Sequence, residues 1–231
     1  MPRMPPTPRP QGPKKKSNVK VPGSADDSRQ RLWMIAGAAV LVVVAAALAF
    51  VLFGGGDDAS TSTDGTAALE AAGCQVTTVK ALKSNDHTVL TADGTSTKWN
   101  TKPPTSGPHY STPAIWGIYT EPLLDAQVVH NLEHGGIFVE YGDDVPAATV
   151  DQLRGFYDEH RNGTLVAPNP TLGDKIALGV WTTSSPSKPD TGTARLAKCT
   201  TFDQAAYEAF FDDYQFNGPE RFPASSMIPG A

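Results

Sequence analysis

The sequence predicts an α+β fold, a two-layer domain in which an antiparallel or mixed sheet is covered by two helices, held behind a single transmembrane helix. Three observations predict it. An uncharged, apolar run occupies Leu32 to Phe53. Five short runs, β-branched or alternating, follow it and are bounded by turn residues. Two amphipathic helical patterns are interspersed among those runs with short connections, which argues against an all-parallel doubly wound sheet.

Residues 1–31 are rich in Pro, Lys and Arg and poor in apolar side chains. Such a segment buries too little surface to offset chain entropy and is expected to be disordered. Pro5-x-x-Pro8 matches a polyproline ligand, but a solvated tail that fixes topology and touches anionic lipid is the simpler account.

The run from Leu32 to Phe53 holds twenty-two residues. At about 1.5 Å rise per residue they reach roughly 33 Å, enough for a hydrocarbon core of about 30 Å. Ala47-Leu48-Ala49 mimics a cleavage site, so a signal peptide is the main alternative. The apolar run continues past it through Phe53, however, and the leader is too long for an n-region.

Charge sets the orientation. Eight Lys/Arg and only Asp26 and Asp27 precede the span, a balance of +6, whereas the remainder of the chain carries −11. The positive-inside rule therefore keeps the N-terminus in the cytoplasm and places everything after Phe53 outside the cell, anchored in the membrane by one pass. Residues 54–65 read as a flexible Gly/Ser/Thr tether. Residues 66–231 are of one-domain size.

Within that domain the expected strands are Gln75 to Leu82, Ile137 to Tyr141, Thr164 to Ala167, Ile176 to Thr183 and Arg195 to Lys198. Thr149 is expected to cap a helix whose stripe is Val150, Leu153, Phe156 and Tyr157, with Asn162-Gly163 as its stop. A second helix has Thr201-x-x-Gln204 as a capping box and Tyr207, Phe210, Phe211 and Tyr214 at i, i+3, i+4 and i+7. Ser84 to Asp125 has no period and reads as a long ordered loop or a working surface. Cys74 and Cys199, the only cysteines, flank this domain; outside the cell they are expected to pair, the alternative being two inert thiols.

Three of the five histidines fall within two short phrases, Pro103-Pro104-Thr105-Ser106-Gly107-Pro108-His109-Tyr110 and His130-Asn131-Leu132-Glu133-His134-Gly135-Gly136. At i and i+4, His130 and His134 share a face whether the segment is helix or strand. Both imidazoles then converge on one ion, and His109 would complete a site for Zn or Cu. The bland alternative is hydrogen-bonded scaffolding, with Thr105 to Pro108 a simple turn. His130-x-x-Glu133-His134 also fits the inverted zinc-protease pattern, with Glu133 as general base. That motif belongs on a regular helix, and here it runs straight into Gly135-Gly136 and a β-rich run, so a hydrolase is the weaker reading.

Other chemistries are excluded more firmly. No phosphate-cradling glycine loop and no G-x-S-x-G elbow occur, and an exported charge of −11 repels nucleic acid. A binding module without metal is the alternative of a different class. Trp99, Tyr110, Trp116 and Tyr119 would line its groove for a cell-envelope partner, unless they form the loop's own small core. Met227 is a soft copper ligand in type but lies outside both phrases.

The two histidine phrases, together with Val166-Ala167-Pro168-Asn169-Pro170, the strand ending at Trp181 and the closing Gly218-Pro219-Glu220, resemble domain-of-unknown-function family 3105. That family is common in membrane-anchored proteins of high-GC Gram-positive bacteria. The resemblance implies no activity. It does imply a further position, because its members carry an Asn/Asp-His pair upstream of the double proline, matched here by Asp86-His87. The candidate metal set is thus His87, His109, His130 and His134, with Glu133 beside it; His160 is set aside as a partner of a helix C-terminus. The resulting expectation is an extracytoplasmic metal-binding protein, and a binder is favoured over an enzyme.

Overall fold

The computed structural model describes residues 64–94, 97–186 and 192–231. The expected basic tail, the apolar span and nearly all of the tether lie outside the described residues. Among the described residues no helix is long and apolar enough to cross a membrane.

The elements are, in chain order, α1 (Gly65–Ala71), β1 (Gln75–Lys80), β2 (Gly117–Ile118), α2 (Asp125–His134), β3 (Ile137–Tyr141), α3 (Ala147–Glu159), β4 (Thr164–Pro168), β5 (Ile176–Thr182), β6 (Thr193–Cys199) and α4 (Gln204–Tyr214). The strands form one mixed sheet in the order β1-β6-β5-β3-β4-β2. Strands β1, β6, β5 and β3 pair antiparallel, while β3, β4 and β2 run parallel. All five expected strands are present, and the fold is α+β.

The layering differs from the expectation. The central strands are apolar on both faces, as strands covered from both sides must be. Ile137, Val139, Val166, Ile176, Leu178 and Val180 face one core together with Leu153, Phe156 and Tyr157 of α3 and Tyr207, Phe210 and Phe211 of α4. Phe138, Leu165, Ala177 and Trp181 face a second core with Val128, Val129 and Leu132 of α2. The sheet is therefore a middle layer, and the second covering face comes from the helix that local sequence left undecided.

Two capping expectations are also corrected. Helix α3 begins at Ala147 with Pro146 at its N-cap and no side-chain cap bond, so Thr149 lies inside the first turn. Helix α4 is capped by Asp203, whose carboxylate accepts from the Ala206 N–H at 3.0 Å. Gln204 instead donates to Glu208 at 2.8 Å, so the Thr201 box does not form. Short acidic side chains reach the exposed N–H groups of a first turn as well as Thr does.

Cys74 and Cys199 form a disulfide. The bond sits where Gln75 of β1 pairs with Lys198 of β6, so it fastens the edge strand at the start of the fold to the strand near its end.

Candidate functional site

Helix α2 forms because Ala126, Val128, Val129 and Leu132 present an apolar stripe to the sheet. It stops at Gly135, whose φ of 106° is left-handed and whose absent Cβ would lie 3.0 Å from the backbone of Gly218 and Phe216. The segment after α4 packs against this end and satisfies carbonyls that the last turn leaves open. Phe216 N–H donates to Gly135 at 2.7 Å, Glu220 to Glu133 at 3.0 Å and Phe222 to His134 at 3.0 Å. The H-x-x-E-H phrase therefore does lie on a helix, contrary to the objection that Gly135-Gly136 raised.

The proline phrase is folded against that helix. Gly107 has a φ of 113°, and a Cβ there would meet the Leu82 side chain at 2.7 Å. Ser106 is fully buried and its hydroxyl accepts from the Leu82 N–H at 3.1 Å. Asn131, one turn before Gly135, holds the far end of the loop by exchanging two 2.8 Å hydrogen bonds with the Ala114 backbone. His109 N–H donates to the Asp86 carbonyl at 2.9 Å, which ties the third segment, carrying His87, to the second.

These contacts bring His87, His109 and His130 together. One ring nitrogen from each lies within 4.8 Å of the others, and their ring centroids are 4.6 to 4.9 Å apart. His109 is fully buried, His130 nearly so, and His87 is exposed. The Nδ1 atoms of His109 and His130 sit 2.8 and 2.7 Å from the carbonyls of Gly107 and Tyr110. A carbonyl only accepts, so both Nδ1 atoms carry the proton in the neutral rings and both Nε2 atoms keep a lone pair.

His134 stands apart from that trio. Its ring neighbours His130 at 4.6 Å, but it stacks on Phe222 at 4.2 Å and its Nε2 lies 3.3 Å from Glu220. Burial lowers its pKa to about 4, helped by the charge of His130, so it is neutral at physiological pH. Burial likewise lowers the pKa of His130.

Glu133 is turned toward His109. Its Oε1 accepts from the Asn85 N–H at 2.5 Å, and its Oε2 lies 3.1 Å from His109 Nε2. Both residues are fully buried, yet His109 Nε2 and Glu133 Oε2 make no hydrogen bond of acceptable angle. The approach is thus an ion-pair distance with the oxygen off the axis of the ring nitrogen. Burial by itself would discharge both groups. The adjoining opposite charge and the hydrogen bonds outweigh it, raising the His109 pKa and lowering that of Glu133. A zinc-protease base needs its carboxylate directed at a metal-bound water with both histidines of the motif on the ion; here Glu133 is engaged by Asn85 and His109, and His134 by Glu220.

A cavity of about 480 Å³ lined by Ser84, Asn85, Glu133, Glu220 and Phe222 borders the Glu133 side of the site, and no histidine lines it. A larger one of about 580 Å³ between α1 and α4 is lined by none of the histidines. His160 closes α3, stacks on Phe156 at 4.3 Å, and forms a separate, more exposed group with Glu159 and Glu208. Met227 is buried in the second core. Trp116 is buried, Trp99 and Tyr119 pack against the same core, and Trp99 donates to the Pro108 carbonyl at 3.0 Å. Asn85, Asn131 and Glu220 could not be singled out in the sequence because their roles depend on contacts between distant segments.

No curated protein and no solved structure matches the chain. The model of the family described as "Protein of unknown function (DUF3105)" matches residues 91–226, a stretch that includes His109, His130, His134 and Glu133. That match covers more than half of the chain, and the protein belongs to the DUF3105 family.

Proposed function

We propose that the protein binds a transition metal, Zn or Cu, through Nε2 of His109 and His130 and a ring nitrogen of His87. The observation that carries this reading is the convergence of three imidazoles from three chain segments, with the two buried rings held by Nδ1–H donation to backbone carbonyls. That is the outer-shell arrangement that orients a histidine for a metal and makes its Nε2 the coordinating atom. A tetrahedral ion with bonds of about 2.0 to 2.1 Å wants its nitrogens about 3.4 Å apart, so the rings must close slightly, and the exposed His87 has room to do so. Glu133 Oε2 is placed to balance the charge of the ion or to serve as a fourth ligand once the His109 proton is displaced. Imidazole suits both metals, and the donor set does not choose between them.

The same reading includes an extracytoplasmic position, tethered to the bilayer by residues 32–53. The apolar run, the basic excess ahead of it and the disulfide support this, since disulfides persist in oxidising compartments. Its use is binding, whether for sensing, buffering or handing over metal. The test is elemental analysis of the full chain purified without chelator. About one Zn or Cu per chain, lost in His130→Ala, is the expected result. Neither metal near one per chain rejects the reading in favour of a metal-free binding module of the cell envelope.

A further inference from the structure

At the other end of α2 from the histidines, the structure holds a second polar site built on a different principle. Strand β3 points Ile137 and Val139 to one face and Phe138 and Glu140 to the other. Glu140 is 2 % exposed, and its partners across the neighbouring strands are Ala167 and Ala177. A buried carboxylate flanked by two alanines leaves open volume above it. That volume is a cavity of about 390 Å³, whose lining includes Glu140, Asp125, Lys102 and Asn169. Its apolar wall is formed by prolines and by Leu123 and Leu124, the latter 44 % exposed at the rim, and Asp93 and Thr171 complete the lining.

The floor is rigidly arranged. Asn169 Nδ2 donates to one Glu140 oxygen at 2.6 Å. The Asn169 side-chain oxygen accepts from the Thr171 N–H at 3.1 Å and from its hydroxyl at 2.7 Å, which fixes the amide so that its NH₂ faces the carboxylate. The second Glu140 oxygen accepts no hydrogen bond from the described residues and is not sealed from solvent, since Glu140 lines the cavity. Burial pushes the Glu140 pKa up to about 7; Asn169 opposes that and the Asp125 charge adds to it. A carboxylate that is 2 % exposed and has one protein donor is costly to ionise, and a donor with positive charge would offset that cost.

We propose that this cavity binds a primary alkylammonium group, with the protonated amine on Glu140 and the alkyl stem against the proline and leucine walls. Asp125, which opens α2, and Asp93 add two further carboxylates on the same lining, and the volume falls in the range of small-molecule sites. An anion is disfavoured by the three carboxylates. A hard divalent cation is disfavoured as well, because it seeks six or more oxygens in one shell and the three carboxylates do not gather into a ligand group among the described residues. Lys102 lies on the same lining and its charge acts on Asp125, which leaves Glu140 as the carboxylate for the ligand's ammonium.

The proposal does not depend on the metal reading. It is tested on the full chain in lipid nanodiscs at pH 8, titrated with n-butylammonium and, in parallel, with 1-butanol and butyrate, by ligand-observed NMR. Saturable binding of the amine alone is expected, weakened at least tenfold in Glu140→Gln and several-fold in Asp125→Asn. The amide introduced by Glu140→Gln keeps an acceptor for Asn169, so the fold should survive. Leu123→Trp fills the cavity without touching the carboxylates and should also abolish binding. No saturable amine binding, equal binding of butanol, or undiminished affinity in both Glu140→Gln and Leu123→Trp would overturn it.

Discussion

Glu133 Oε2 and His109 Nε2 lie 3.1 Å apart with both side chains fully buried, and the pair joins the proline loop to the helix carrying His130. Breaking a buried pair from one side leaves an uncompensated charge, which costs on the order of 3 to 5 kcal/mol. Glu133→Ala also strands the Asn85 N–H that Oε1 accepts at 2.5 Å. Urea unfolding of the chelator-treated protein, followed by tryptophan fluorescence, should show a loss of that order. A loss below about 1 kcal/mol would place the pair among weak surface contacts and remove it from the account of the site.

Excess Zn or Cu should stabilise the folded chain by about 2.7 kcal/mol at a hundred times the dissociation constant. The shift should vanish in His109→Ala and His130→Ala, whose rings form the buried part of the trio. His160→Ala, which touches only the separate group with Glu159 and Glu208, should keep it. Equal shifts in all three variants would mean that the ion sits elsewhere.

Glu140 makes stability depend on pH with a sign opposite to that of a paired carboxylate. Its folded pKa, raised to about 7 from 4.5, means that the unfolded chain releases this proton first as pH rises. Its contribution to stability therefore falls from pH 4.5 upward and is fully lost above about 7, by at most about 3 kcal/mol. Glu140→Gln removes this dependence. Unfolding midpoints at pH 5 and pH 8 should thus differ less in the variant than in the wild type, and the variant should be the more stable of the two at pH 8. An unchanged difference would show that Asn169 and solvent already satisfy the ionised carboxylate.

The disulfide closes a separation of 125 residues. In the chain-entropy model such a closure stabilises by up to about 4 to 5 kcal/mol, and native bridges in small exported domains are typically worth about 2 to 5. Cys74→Ser with Cys199→Ser should cost that much in a thermal melt, and the unreduced wild type should take up no thiol label. Two labels on natively folded protein would end the assignment.

A reporter active only outside the cell, fused after Ala231, should give signal, because the basic excess precedes the apolar run. Activity of an inside-only reporter at the same junction would reverse the orientation and remove the case for an oxidising compartment.

Particular residues mark how much was legible in the sequence. The strand Ile137 to Tyr141 and the stripes Leu153-Phe156-Tyr157 and Tyr207-Phe210-Phe211 follow from local periodicity; Ile137 and Val139 of the strand and both stripes face the first core, and Phe138 faces the second. The pairing of Cys74 with Cys199 follows from their number and the side of the membrane assigned to them. The i, i+4 spacing of His130 and His134 holds for either local structure, so no choice between helix and strand was needed to place both rings on one face.

Tertiary structure decided the rest. Helix α2 has one polar face directed inward, with His130, Asn131 and Glu133 all buried, so its hydrophobic pattern is diluted and its helical character was not readable. Which histidines meet depends on Asn131 clamping Ala114 and on His109 N–H reaching Asp86, contacts across 17 and more residues that no local rule encodes. For the same reason the separation of His134 toward Glu220, and the placement of Glu140 over two alanines, are properties of packing. Periodicity determines which residues are buried; only the juxtaposition of distant segments determines which buried polar groups face one another, and that is where the chemistry of this protein resides.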